Sequence, residues 1–184
     1  MATTLRDLVR HCDRELRAAA FRDYCPNGLQ VEGCATVQRL ACAVTANQSV
    51  LDAAVTWGAD ALLVHHGYFW RGEAAPVVGM KRRRLATLLA ADMSLLAYHL
   101  PLDAHPSLGN NARLGALLGI GEVAPLDPES ADGVGNLGAW PAPRPLAAVR
   151  AQLAALTGRE PLLVGDGELC VSRVAWCTGA AQAF

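Results

Sequence analysis

Two short runs of this sequence concentrate imidazole and carboxylate. Val64-His65-His66-Gly67 sets two His side by side, and Tyr98-His99-Leu100-Pro101-Leu102-Asp103-Ala104-His105 offers two more with an Asp between them. Imidazole nitrogen and carboxylate oxygen are donors that Zn²⁺, Mn²⁺, Fe²⁺ and Ni²⁺ all accept, so the runs point to a metal site without identifying its ion. Neighbouring residues on a regular strand face opposite ways. One ion therefore does not easily take both His65 and His66, whereas two adjacent ions at a turning strand end can each take one. An ordinary hydrogen-bonded His pair also explains the first run taken alone; the two runs together favour the metal. None of the five His lies beyond His105.

Other polar runs carry less. Asn27-Gly28-Leu29-Gln30 reads as a tight turn, and Gly109-Asn110-Asn111 as a turn with a helix N-cap. Lys81-Arg82-Arg83-Arg84 reads as a solvated helix face; at a helix start it opposes the macrodipole, which leaves an acidic partner open. The six Cys show no C-x-x-C pair and read as reduced thiols, with Cys42 and Cys177 inside apolar runs.

The elements that must position these groups follow from periodicity. Thr4-Leu5-Arg6-Asp7 opens a helix like a capping box, with Leu5, Leu8, Val9, Cys12 and Leu16 at helical spacing. Further helices are predicted from Ser49 to Gly58, over Lys81–Asp92, Asn110–Leu118 and from Pro145 to Leu156. Strands are predicted at Leu40–Thr45, which reads as buried, and at Ala61–Val64, Ser94–Tyr98, Gly135–Trp140, Pro161–Val164 and Arg173–Cys177. Strands alternating with helices indicate an α/β fold with a largely parallel sheet. Functional groups then gather beyond the carboxyl ends of the strands, where both His runs begin.

With 184 residues, 52% hydrophobic and 18% charged, the chain has enough apolar matter for one domain or two small lobes. The Gly- and Pro-rich stretch 121–143 is the predicted seam, giving an N-terminal lobe over 1–120 with the ligand motifs and a second lobe over 121–184. A net charge of −1 argues against nucleic acid as a partner, and no apolar run suits a membrane span. The N-terminus lacks a secretory apolar block, which implies a cytoplasmic protein. Thr178-Gly179-Ala180-Ala181 resembles a turn into a helix, so the chain reads as shortened relative to a longer ancestor.

Tyr24-Cys25-Pro26-Asn27-Gly28-Leu29-Gln30-Val31, Leu63-Val64-His65-His66-Gly67-Tyr68-Phe69-Trp70 and the Tyr98–His105 block with Leu108-Gly109-Asn110-Asn111 together resemble the Nif-three-like dinuclear metal family. Its members are often labelled GTP cyclohydrolase I type 2 homologs, and the likeness to the compact bacterial members extends over essentially the whole chain. The resemblance implies a two-lobed α/β subunit with a largely parallel mixed sheet flanked by helices, assembling as a homohexameric ring. It implies two divalent metal ions, with Zn, Mn, Fe and Ni undistinguished. His65 and Asp103 match ligands of one ion and His66 a ligand of the other, while Asn27, Gln30 and His99 match positions lining the site. His105 is given no ligand role, and no catalytic residue is assigned. The family closes its site with a late His and a Glu that this sequence does not show, so partial or lost metal binding is expected.

The implied function is a metal-dependent hydrolase of a small, nucleotide-like substrate. The alternative is a non-catalytic metal-binding or ring-assembly protein with a binding or regulatory role. The cyclohydrolase label draws little support, because a zinc cyclohydrolase of the usual kind uses Cys with His and no Cys neighbours the His runs.

Overall fold

The computed structural model describes residues 2–127 and 134–179. Parts of two expectations, the seam at 128–133 and the turn at Ala180-Ala181, lie outside the described residues. In chain order the elements are β1 (Thr3–Thr4), α1 (Leu5–Glu15), β2 (Gly28–Val31), β3 (Thr36–Val37), β4 (Leu40–Thr45), α2 (Gln48–Trp57), β5 (Ala61–His66), α3 (Gly79–Ala90), β6 (Ser94–Ala97) and α4 (Leu100–Asp103). There follow α5 (Asn110–Leu118), β7 (Gly121–Pro125), β8 (Asn136–Pro145), α6 (Leu146–Thr157) and β9 (Cys170–Trp176). The chain divides into two compact units, Met1–Leu102 and Asp103–Phe184.

The first unit is built on a four-stranded mixed sheet in the order β2-β6-β5-β4. β4, β5 and β6 run parallel, and β2 joins β6 antiparallel. Alternation along β5 and β6 sorts their side chains to two faces. Leu62, Val64, Leu95 and Ala97 pack with Leu51 and Ala54 of α2 and Leu88 of α3. Ala61, Leu96 and Tyr98, with Leu63, pack instead with Leu5, Leu8 and Val9 of α1. Both central strands are thus covered on each side, as parallel strands require.

The helix starts follow local chemistry. Thr4 Oγ1 accepts from Asp7 N–H at 3.1 Å and donates to Asp7 Oδ2 at 2.7 Å, fulfilling the predicted start of α1. α2 is capped earlier than its sequence suggests, by Asn47 Oδ1 accepting from Val50 N–H at 3.0 Å.

β4 departs from the buried strand expected of its apolar run. It lies at the edge of the sheet, where Cys42 and Val44 are exposed. β2 falls where a turn is predicted; it is four residues long with a bulge between Leu29 and Val31, too short to show a period. Pro161–Val164 is not a strand: Leu162 and Val164 are exposed and pair with no strand.

The second unit carries an antiparallel sheet in the order β7-β8-β9. Leu118, Ile120 and Trp140 form its core, with Leu114, Val149, Leu153 and Trp176 packed around them. β7, unpredicted from the sequence, is exposed along its whole length. Among the described residues, no helix is long and apolar enough to cross a membrane.

Candidate metal centre

β5 and β6 are parallel neighbours with Val64 opposite Ala97, so the residues that follow leave the sheet side by side. His65, His66 and His99 meet there. Ring centroids lie 4.4 Å apart for His65 and His66, 5.0 Å for His65 and His99, and 5.8 Å for His66 and His99. One nitrogen from each falls within 4.8 Å of the others. The alternation that should separate His65 from His66 is overcome at the strand end. The ladder to β6 stops at Val64 while pairing to β4 continues to His66, so the backbone is held on one side only.

Each ring is also gripped from behind. His65 Nδ1 lies 3.1 Å from the Tyr98 carbonyl, which can only accept, so the ring carries a proton there. His66 Nδ1 lies 3.1 Å from Thr45 Oγ1. His99 Nδ1 lies 2.8 Å from Asp23 Oδ1, again an acceptor. Outer partners of this kind fix ring orientation and tautomer at metal sites. Half-buried imidazoles, oriented and grouped within reach of one ion or a neighbouring pair, fit a divalent metal.

Asp23 is absent from the sequence reading, whose nearest motif begins one residue later at Tyr24. Its side chain is 2% exposed. Burial by itself pushes the carboxyl up, but hydrogen bonds from the His99 ring, the Asn27 amide and the Leu100 and Tyr24 N–H groups prevail and bring it down to about 2. The remaining signal in the sequence is the spacing of four from Asp23 to Asn27, whose Nδ2 donates to Asp23 Oδ2 at 2.9 Å.

The residues matched as lining the site hold its loops. Asn27 Oδ1 accepts from His99 N–H at 2.8 Å. Gln30 clasps the chain just after the His pair: its Oε1 accepts from Tyr68 N–H at 2.7 Å and its Nε2 donates to the Tyr68 carbonyl at 3.1 Å. Gly67 is needed there, because a Cβ would collide with the Gln30 side chain and with Ala97. Phe69 follows in a left-handed conformation, φ 65°, that bulky residues rarely adopt. Trp70 stands edge-on to His99, 5.0 Å between ring centroids, and 6.1 Å from His66.

Distance along the chain misjudges Cys25. Its Sγ groups within 4.8 Å of donors on Asp23 and His99, so a cysteine does neighbour the imidazoles in space. Burial, reinforced by the Asp23 charge, pushes this thiol up to about 12. The basic run also differs from a solvated face. Lys81 is largely covered, 3.3 Å from Glu73 and 5.4 Å from the Phe69 ring centroid, while Arg82 and Arg83 are exposed.

Asp103 opens the second unit and is buried; its Oδ1 accepts from Asn110 Nδ2 at 2.8 Å. Asn111 is buried as well, and its Oδ1 accepts from Thr178 N–H at 2.6 Å. The Asn pair therefore ties loops together as well as opening α5. His105 Nδ1 accepts from Leu108 N–H at 3.0 Å and Ser107 N–H at 3.2 Å, a turn-holding role.

These features define a class: α/β proteins whose candidate metal-ligating side chains cluster at the carboxyl ends of adjacent parallel strands. The model of the Duf34/NIF3 (NGG1p interacting factor 3) family matches residues 3–184, and the chain belongs to that family. It is 53% identical over 184 residues to a GTP cyclohydrolase 1 type 2 homolog of Pseudomonas aeruginosa, covering 100% of this chain and 73% of that protein. The protein of the same description from Escherichia coli K12 is 52% identical over 186 residues, covering 99% and 71%. Among solved structures, protein ybgI, described as of unknown function, superposes with a TM-score of 0.91 at 50% identity, over 99% of this chain and 72% of that one.

Proposed function

We propose that this chain is a metal-binding protein whose centre is built on His65, His66 and His99, and that it acts as a metal-dependent hydrolase of a small, nucleotide-like substrate. The observation that carries the reading is the convergence of one nitrogen from each of three imidazoles within 4.8 Å, with each ring hydrogen-bonded at Nδ1. Asp103 enters as a further ligand through the family resemblance, which also supports a pair of ions. Bound divalent ions would supply Lewis-acid polarisation of a substrate and a water made acidic enough to attack at neutral pH. The protein's own part is orientation. Tyr98, Thr45 and Asp23 hold the rings, Gln30 and Gly67 fix the loop after the His pair, and Trp70 walls one side.

The test is metal analysis of the purified chain, followed by assay on phosphoester, amide and cyclic nucleotide substrates. Metal-dependent turnover lost in His66→Ala and Asp103→Ala supports the enzyme. Stoichiometric metal without turnover on any of these substrates favours the alternative, a non-catalytic binding or regulatory protein. Less than about one metal per chain sinks both readings. The resemblance further supports self-assembly as a hexameric ring in the cytoplasm, and a light-scattering mass well below six copies would count against the ring.

A further inference from the structure

Asp23 lies 76 positions from His99 in sequence yet meets its ring at 2.8 Å. Its four hydrogen bonds are divided evenly. Oδ1 accepts from Tyr24 N–H at 2.6 Å and from the His99 ring, while Oδ2 accepts from Asn27 Nδ2 at 2.9 Å and from Leu100 N–H at 2.9 Å. An ionised carboxylate offers about four lone-pair directions, so all of them are taken.

That saturation decides between two readings of the neighbourhood. Asp23, Cys25 and His99 also group closely enough to hold an ion. To ligate one, however, Asp23 would surrender hydrogen bonds that anchor two backbone N–H groups. A carboxylate already filled by N–H donors is a fixture.

We propose that Asp23 is a positioning residue for the metal centre, holding His99 as the Nδ1–H tautomer so that its Nε2 lone pair serves as a ligand beside His65 and His66. This rests on the metal-centre reading above. A neutral imidazole carries a single N–H, and a carboxylate partner draws it to Nδ1. Without that partner the proton distributes over both nitrogens and the ring turns about its side-chain bonds. Each change reduces the share of rings ready to bind.

The experiment uses the full chain as four proteins: unaltered, Asp23→Asn, His99→Ala and the double variant. Co²⁺ affinity is measured by competition with a chelator, and imidazole ¹⁵N shifts are recorded without metal. Asp23→Asn is expected to weaken Co²⁺ binding about 10–100-fold, as loss of an outer partner typically does, and to cost nothing further once His99 is Ala. The His99 shifts should move from an Nδ1–H pattern to a tautomer mixture. An equal loss of affinity in both backgrounds would mean that Asp23 merely braces its loop, and would overturn the proposal. So would a cobalt–thiolate absorption band that disappears in Cys25→Ser, which would place the ion on Asp23, Cys25 and His99. If the unaltered chain binds no Co²⁺, the metal-centre reading fails separately and the nitrogen shifts decide: an Nδ1–H pattern that survives Asp23→Asn refutes the positioning role.

Discussion

The two units put their sheets to different uses. In the first, β5 and β6 are parallel and sandwiched between α1 on one face and α2 with α3 on the other. In the second, β7, β8 and β9 are antiparallel and share a core of three buried side chains. Parallel strands need crossover helices, and all their carboxyl ends then open toward the same side. Polar loops from distant parts of the sequence meet at that edge, which is how His66 comes within reach of His99. An antiparallel meander sends successive ends in opposite directions and gathers no such cluster.

The contrast breaks most readily in the cores. Leu62→Ala, at a fully buried site in β5, should cost about 2–5 kcal/mol in denaturant unfolding. Leu153→Ala, half-buried in α6, should cost clearly less; equal losses would show that the second core is as tightly packed as the first. At the strand ends, His66→Ala should lower Co²⁺ affinity by more than the ~10–100-fold expected from losing an outer partner, with little change in melting temperature. Gly67→Ala should cost about 1–3 kcal/mol by forcing Gln30 and Ala97 away, and should weaken metal binding along with stability.

Smaller effects sharpen the same contrast. Asn47→Ala removes the side-chain cap of α2 and should cost about 1 kcal/mol. No single side chain serves α6 in that way: its first N–H groups donate to the Leu169 and Gly167 carbonyls at 3.0 and 2.9 Å. The smallest effect concerns acid. Asp60 Oδ2 accepts from Arg39 and Gln38 N–H, each at 2.8 Å, and these bonds hold the carboxyl below its ordinary value. A lowered folded pKa gives stability that is present above the unfolded value and lost as pH falls through the folded one. The difference in stability between the unaltered chain and Asp60→Asn should therefore be flat near neutrality and shrink below about pH 4.

Much of the first unit was legible because its signals are local. The apolar runs of β5 and β6, the cap at Thr4 and the two His runs each declare themselves within a few residues. What escaped was set by pairing at a distance. β2 needed β6 beside it to be a strand, and Pro161–Val164 has the apolar character of a strand with no neighbouring strand to pair with. Asp23 and Cys25 come beside His99 on a loop that lies far from it in sequence. Strand alternation, valid within β5, misled only at its last two residues, where one ladder stops and the other continues.

Trp70 has one more consequence. Its indole stands 5.0 Å from the His99 ring and 6.1 Å from that of His66. A paramagnetic ion arriving among the imidazoles would drain the excited state of this indole. The protein thus carries its own optical gauge of occupancy, and Trp70→Phe should silence it while the ion still binds.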